Sequence, residues 1–411
     1  MSLDQAIDDA IGGAVDKGAI PGAVAAVVDL EGLRSIRSYG VRSVCDTDPM
    51  TDDTVFQIAS MTKPIAGTAC LQAVERGLLA LDQPAGEIIP ELAELRILEG
   101  FDESGPILRS PQNPVTLRNL LTHTSGFTYE VWNANTAAWL EHTGGPGVGS
   151  GKLASLERPL SFEPGERWEY GIGIDWAGQL LERVSGIGLG EWMRSEIFEP
   201  LEMSDTAYHC RADMENRRAD PHILDGDQWK ALPPQVPKTP PEFDSGGGGL
   251  YSTTADYARF IQMLLGGGEL FGQHLISDET FAMMSSNNMG QLRVPPVESF
   301  NQVLSADFEF MPGVPKSWGL TFQINEESVA GGRHAGSMSW AGLYNTHFWV
   351  DPISGFGALL MTQTLPFMIP QVSKLLEEFE QAVYATIGIC IDRCRSVGRT
   401  PRIHRVYRAH H

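Results

Sequence analysis

The sequence predicts an α+β protein in which one mainly antiparallel sheet, drawn from both ends of the chain and flanked by terminal helices, carries a mostly helical inserted domain. Three observations lead there. An amphipathic helix and an apolar hairpin open the chain. Three apolar strands and another helix lie between residues 318 and 385. Neither strand group makes a convincing sheet alone, so the economical arrangement pools them.

Leu3, Ile7, Ile11 and Val15 recur at four-residue spacing, the stripe of a helix that Gly18 and Pro21 stop. GAVAAVVDL, a Glu31-Gly32 turn and LRSIRSYGV then read as a hairpin whose first strand is apolar enough for burial on both faces. Helical patterns follow at 64–79, 115–122, 175–184 and 189–198. Residues 232–249, LPPQVPKTPPEFDSGGGG, cannot sustain regular structure and suit a return crossing to the sheet. A helix resumes at Thr254, with Thr253 and Asp256 placed as a capping pair. WGLTFQIN, LYNTHFWV and FGALLMTQT read as three strands, and Val372, Leu375, Leu376, Phe379 and Val383 mark the apolar side of the last helix. The expected division is 1–80 with 245–385 as the sheet domain and 81–244 as the helical domain. The last 26 residues, 386–411, form a basic tail outside the fold, because no period is expected to continue into them.

Composition limits the function classes. The 411 residues are 42% apolar and 20% charged, enough for a sizeable core. The formal charge is −22; the tail contributes +5, so the body alone carries −27. Nucleic acid and membrane are therefore not expected as partners, since both demand clustered Lys and Arg. The N-terminal stretch has neither a basic leader nor a long apolar run. Its five scattered cysteines (Cys45, Cys70, Cys210, Cys390, Cys394) suit reduced thiols, and the expected location is the cytoplasm. No HExxH motif or close Cys/His cluster suggests a metal, and no cofactor is expected. GGPGVGSGKL (144–153) departs from a phosphate loop at Pro146 and Leu153 and reads as an ordinary loop.

The strongest chemical signal is IASMTKPI (58–65), which sets Ser60 and Lys63 in an S-x-x-K arrangement. Three residues on a helix is nearly one turn, so hydroxyl and amine project from the same side and can meet as nucleophile and base. A helix starting near Ser60 would add its unpaired N–H groups where negative charge develops on a substrate oxygen. Pro64 is tolerable only in such a first turn.

This segment resembles the nucleophile motif of the serine β-lactamase and penicillin-binding superfamily, and other stretches fall into the order of its class C-like branch. LLTHTSGF (120–127), WEYGIGIDWAGQLLERVSG (168–186), GGGGLYSTTADYARF (246–260) and WAGLYNTHFWVDPISG (340–355) are similar to its successive motifs. The resemblance is nearest to the family VIII carboxylesterases and a related fungal acyltransferase that esterifies a statin precursor, to which ILEGFDESG (97–105) is also similar.

The resemblance implies a β-lactamase-like fold and a catalytic set of Ser60, Lys63 and Tyr170. Ser60 would be acylated, with Lys63 and Tyr170 sharing the proton work; which of them takes the serine proton stays open. It implies an oxyanion hole from the backbone N–H groups of Ser60 and Leu343, with Gly342 allowing close substrate approach. His334-Ala335-Gly336 offers a second register for the last motif, but Trp340-Ala341-Gly342 is preferred because it is expected to run directly into the following strand. Tyr129, Trp132 and Trp139 are candidates for lining an acyl pocket or for core packing.

Two departures from the family pattern bear on substrate. Ile172 stands where an asparagine usually holds a β-lactam side chain, and Trp340 where a lysine usually meets the drug's carboxylate. Apolar residues at both places favour a neutral ester. The expected activity is hydrolysis of small-molecule short-chain acyl esters through an acyl-enzyme on Ser60, with cephalosporin opening weak at most. The rival readings are a β-lactamase or D-amino-acid peptidase, an acyltransferase to an alcohol, and a non-catalytic ligand-binding homologue. Oligomeric state is not set by these features.

Overall fold

The computed structural model describes residues 1–233 and 240–396, with side chains described as far as Ile387. Its frame is a seven-stranded, wholly antiparallel sheet of strands β1 (Gly22–Asp29), β2 (Gly32–Gly40), β3 (Lys316–Trp318), β4 (Gln323–Asn325), β5 (Met338–Gly342), β6 (Thr346–Asp351) and β7 (Phe356–Met361). They lie in the order β3-β4-β5-β6-β7-β1-β2, so the first strand of the chain pairs with the last of the sheet. Val24 stands opposite Met361 and Asp29 opposite Phe356 in that pairing.

The alternation along β1 explains its wholly apolar sequence. Ala23, Ala25 and Val27 pack with Ile7, Ile11, Val372, Leu375 and Phe379 beneath the terminal helices. Val24, Ala26 and Val28 face the opposite way, into the main core with Ile65, Ile261 and Phe348. Side chains of period two serve two cores at once. The N-terminal helix, broken by a π-helical turn at Asp8–Gly12, starts at a Ser2 cap.

Four longer helices complete the frame: α1 (Thr62–Glu75), α2 (Gly173–Ser185), α3 (Thr254–Leu265) and α4 (Pro370–Ser396). Thr253 caps α3 by accepting from the Asp256 N–H, as its position predicted. Asp256 does not close a capping box; its carboxylate accepts from the Asp205 N–H and the Thr206 hydroxyl instead. Between α1 and the sheet's return lie helices such as Leu117–Leu121 and Ala134–Thr143. No helix among the described residues is long and apolar enough to cross a membrane.

Several local expectations need correction. WGLTFQIN is two short strands around a reversal, because Gly319 passes so close to Met284 that a Cβ would lie 2.3 Å from its carbonyl, and Thr321 takes φ +89°. Trp340-Ala341-Gly342 does not run directly into the next strand; it ends β5, and a turn with Asn345 at φ +58° precedes β6. Two hairpins interrupt the stretch read as helical: Ile97–Asp102 with Gly105–Arg109, and His222–Asp225 with Gln228–Ala231. Helix α4 continues past residue 385 to Ser396, against the expectation that regular structure stops there; residues 397–411 lie outside the described part. So does 234–239, the middle of the Pro-rich crossing.

At the end of β6, Asp351 is fully buried and accepts from Tyr384 of α4, Ser354 and the backbone of His334. Hydrogen bonds of this kind hold its carboxyl below the usual range although burial pushes the other way. His334 pairs with this carboxylate through Nδ1 at 2.9 Å, at the strand end and away from Ser60's partners. Arg333 adds a two-pronged ion pair with Glu380.

His347 on β6 makes a testable contribution to stability. It is buried against Phe367, ring centroids 5.9 Å apart, and neither ring nitrogen has a partner among the described residues. Burial, helped by the charge of Arg333, pushes its pKa down to about 3. The unfolded chain takes up that proton near pH ~6.5, so the stabilising effect of the neutral ring is present above 6.5 and is lost as pH falls toward 3. Between pH 6 and 4 the unfolding free energy of the wild type should fall by about 1.4 kcal/mol per pH unit more steeply than that of His347→Phe. Urea titrations of both proteins across that range check this; parallel curves would contradict it.

Candidate active site

The segment before the nucleophile is held by sheet-like pairing. Val55–Gln57 pairs antiparallel with Tyr251–Thr253, and the Ile58 N–H donates to the Leu250 carbonyl at 3.0 Å. Ala59 then adopts φ +43°, a left-handed conformation that a residue with a Cβ takes at a cost of roughly 1–2 kcal/mol. The chain turns through Ala59–Met61 as a 3-10 turn and enters α1 at Thr62. Ser60 is thereby presented partly exposed at the mouth of the helix, while Lys63 points inward and is fully buried.

Lys63 Nζ donates to three acceptors: the Ser60 hydroxyl at 3.2 Å, the Tyr129 hydroxyl at 3.0 Å and the Gly247 carbonyl at 2.7 Å. Those are as many as an ammonium has N–H bonds. The face of the Tyr170 ring lies 4.7 Å from the same nitrogen, a cation–π contact. Tyr170's own hydroxyl accepts from the Trp340 indole N–H at 3.3 Å. Both tyrosine rings flank Lys63, Tyr129 at 5.2 Å and Tyr170 at 4.7 Å, and Tyr129 alone of the two also offers it a hydroxyl.

Tyr129 is the residue whose place differs most from its sequence reading. Considered for an acyl pocket, it is a buried phenol on the lysine, pushed well above the ordinary tyrosine range by burial and by the neighbouring Asp175 and Tyr170. It therefore serves Lys63 as a neutral hydroxyl. Trp132 joins it at 5.7 Å between ring centroids and also contacts Tyr170 and Phe308. Trp139 lies on the helix Ala134–Thr143 and makes no ring contact with this cluster among the described residues. His123, at φ +58°, accepts weakly from the Gly171 N–H and packs on the Tyr170 ring at 4.8 Å; burial and the charge of Lys63 drive its pKa well below the ordinary value.

Gly342 closes the other side. A Cβ there would lie 2.3 Å from the Ile58 carbonyl, so only glycine lets the end of β5 come this close to the chain entering Ser60. Leu343, the next residue, is partly exposed beside this junction. Trp340 is nearly buried, edge-on to Trp318 at 4.5 Å. Ile172 is fully buried at the start of α2, where Gly173 packs against Leu120 with no room for a side chain. What it brings to the site is the lack of an amide, not a surface for substrate.

Asp175, which the sequence reading did not single out, completes the site. It is buried on α2, with Oδ1 accepting from the Ser245 hydroxyl and from the Gly247 N–H at 3.0 Å. Its position five residues after Tyr170 was legible, but its partners lie some seventy residues away.

A serine–lysine pair at the junction of an antiparallel sheet and an inserted helical region defines a serine hydrolase or acyltransferase of β-lactamase fold. The beta-lactamase family model matches residues 7–376, and the chain belongs to that family. It is 32% identical over 400 residues to monacolin J acid methylbutanoyltransferase of Aspergillus terreus, covering 90% of this chain and 93% of that protein. With the lovastatin esterase of Penicillium rubens it shares 30% over 400 residues, 92% and 98% of the two chains. Among solved structures, a mutant simvastatin synthase from Aspergillus terreus matches with a TM-score of 0.80 at 28% identity, over 94% of this chain and 98% of that one.

Tyr129→Phe removes one of the three acceptors of Lys63 while keeping the ring. Turnover of a butyrate ester should drop by about tenfold to a hundredfold with little change in KM. Steady-state kinetics of the variant check it, and an unchanged kcat would show that the hydroxyl does not hold Lys63.

Proposed function

We propose that the protein is a serine carboxylesterase that hydrolyses neutral short-chain acyl esters through an acyl-enzyme on Ser60. The observation that carries this reading is the hydrogen bond of the fully buried Lys63 to a partly exposed Ser60. With the Gly247 carbonyl and the Tyr129 hydroxyl taking two N–H bonds of a neutral amine, its lone pair faces Ser60 and accepts the hydroxyl proton as oxygen attacks the ester carbonyl. The resulting ammonium makes a third hydrogen bond, so the proton transfer requires no rearrangement of its partners.

Backbone N–H groups of Ser60 and Leu343 hold the oxyanion in this scheme, supported by the tight approach of Gly342 to Ile58. The departing alkoxide takes a proton from Lys63, or from Tyr170 with Lys63 behind it. Water then attacks the acyl-enzyme and the same groups repeat the transfer. The aromatic surroundings, Trp132, Tyr170 and Trp340, favour an uncharged acyl group. Lys63, its donors already engaged, does not offer a cation to a carboxylate.

A second reading, acyl transfer to an alcohol, is favoured by the extent of similarity to the methylbutanoyltransferase, of which 93% is covered. Both readings share the acyl-enzyme and differ in what attacks it. Ser60→Ala should abolish turnover of a chromogenic butyrate ester, and retained turnover would refute the acyl-enzyme. With the wild type, a chain-length series with one cephalosporin as comparator tests the substrate class. Added alcohol then separates the readings: a hydrolase releases mainly free acid, whereas a transferase forms mainly the new ester.

A further inference from the structure

The proton scheme makes no use of Asp175, a carboxylate buried within reach of the same nitrogen's field. Asp175 Oδ1 takes both available donors, the Ser245 hydroxyl and the Gly247 N–H. Oδ2 is equally buried and has no hydrogen-bond partner among the described residues. If the side chain only braced the turn, one oxygen would suffice, and a second, desolvated and unpaired, would be a pure cost. A buried carboxylate is tolerated where a charge of opposite sign offsets its desolvation.

That charge is Lys63. Burial pushes the Asp175 carboxyl above the usual carboxylate range, and the charge of Lys63 is the largest of the influences that pull it back, with the hydrogen bonds from Ser245 and Gly247 behind it. The titratable groups facing Lys63 from the packed elements are Ser60 at the start of α1, Tyr129, Tyr170, His123 and Asp175. Burial keeps Tyr129 a neutral phenol, and Glu130 is paired with Arg158 at 2.9 Å. Asp175 is left as the buried carboxyl whose field reaches Lys63. Geometry says the same: a Cβ on Gly247 would lie 2.4 Å from Asp175 Oδ2 and 2.9 Å from the Tyr129 hydroxyl. The carboxylate, the phenol and the Gly247 peptide therefore converge on one point, with the Gly247 carbonyl directed at Lys63.

We infer that Asp175 is a positioning residue for Lys63: it fixes the Ser245–Gly247 turn so that the Gly247 carbonyl accepts from the lysine, and its charge offsets the ammonium inside the protein. It does not touch substrate. Its effect is to favour the ammonium that forms when Ser60 gives up its proton, and so the attack itself. This rests on the acyl-enzyme reading, which fails separately if Ser60→Ala keeps its turnover.

The test is Asp175→Asn, which keeps an acceptor oxygen for the turn and removes the charge. The rate of Ser60 labelling by a fluorophosphonate reports nucleophile activation directly, beside kcat and KM for the butyrate ester. Labelling and kcat should fall together by about tenfold to a hundredfold with KM within about twofold, in a protein that melts no lower than wild type. A folded variant whose labelling and turnover stay within about twofold of wild type overturns the inference, as does a loss confined to KM. If Asp175→Asn does not fold, Ser245→Ala decides, because it loosens the turn and leaves the charge. A severalfold drop in labelling at unchanged KM supports the positioning role, and unchanged labelling refutes it.

Discussion

In the proposed mechanism Lys63 becomes an ammonium with no exposure to water, and that charge is the constraint around which the site is arranged. Leaving such a charge uncompensated inside a protein costs several kcal/mol, so each of its three N–H bonds must find an acceptor. The acceptors come from three separate parts of the chain: Ser60 from its own helix, Tyr129 from the turn after Leu117–Leu121, and Gly247 from the loop before α3. Bringing them together fixes the register of the helical region on the sheet. The strained Ala59 and the side-chain-free Gly342 and Gly247 are local consequences of that convergence.

The sheet supplies the rigidity this convergence needs. β1 is packed on both faces, and β5 reaches the nucleophile at Gly342. At the opposite end of β6 the strand is tied to α4 by Asp351 and its donors and, beside them, by Arg333 and Glu380. The terminal helices therefore act on the site at a distance, by holding the edge whose far end forms one wall of it.

How much of this was legible in the sequence follows from the range of each interaction. Ser60 and Lys63 are three residues apart on one helical turn, so spacing alone indicated their meeting. The two-faced burial of β1 and the stripe of α4 followed from period two and period 3.6. Tyr129 and Lys63 lie 66 residues apart, and no local pattern marks a tyrosine that will face a lysine rather than a substrate. Asp175 was hidden for the same reason, its carboxylate serving a turn 70 and 72 residues further on. The hairpin at 222–231 is a different case: Asp225-Gly226, with Gly226 at φ +62°, is a strong turn signal between two short strands, and its neighbourhood of helices obscured it.

Charge accounting also supports the proposed preference for neutral acyl groups. In the family pattern a lysine would stand at the start of the last motif; here Trp340 stands there, and its indole N–H is engaged by Tyr170. The Lys63 nitrogen is already saturated by protein partners, and Arg158 is occupied by Glu130 and the Ser155 carbonyl. An anionic substrate would thus shed its water without gaining a partner, a loss that no amount of aromatic contact readily offsets. On the proposed reading a neutral acyl group incurs no such loss and would meet the aromatic surroundings of Trp132, Tyr170 and Trp340. In the proposed mechanism, the same saturation that lets Lys63 exchange a proton with Ser60 excludes it from binding charge, so one arrangement of hydrogen bonds would serve both the chemistry and the choice of substrate.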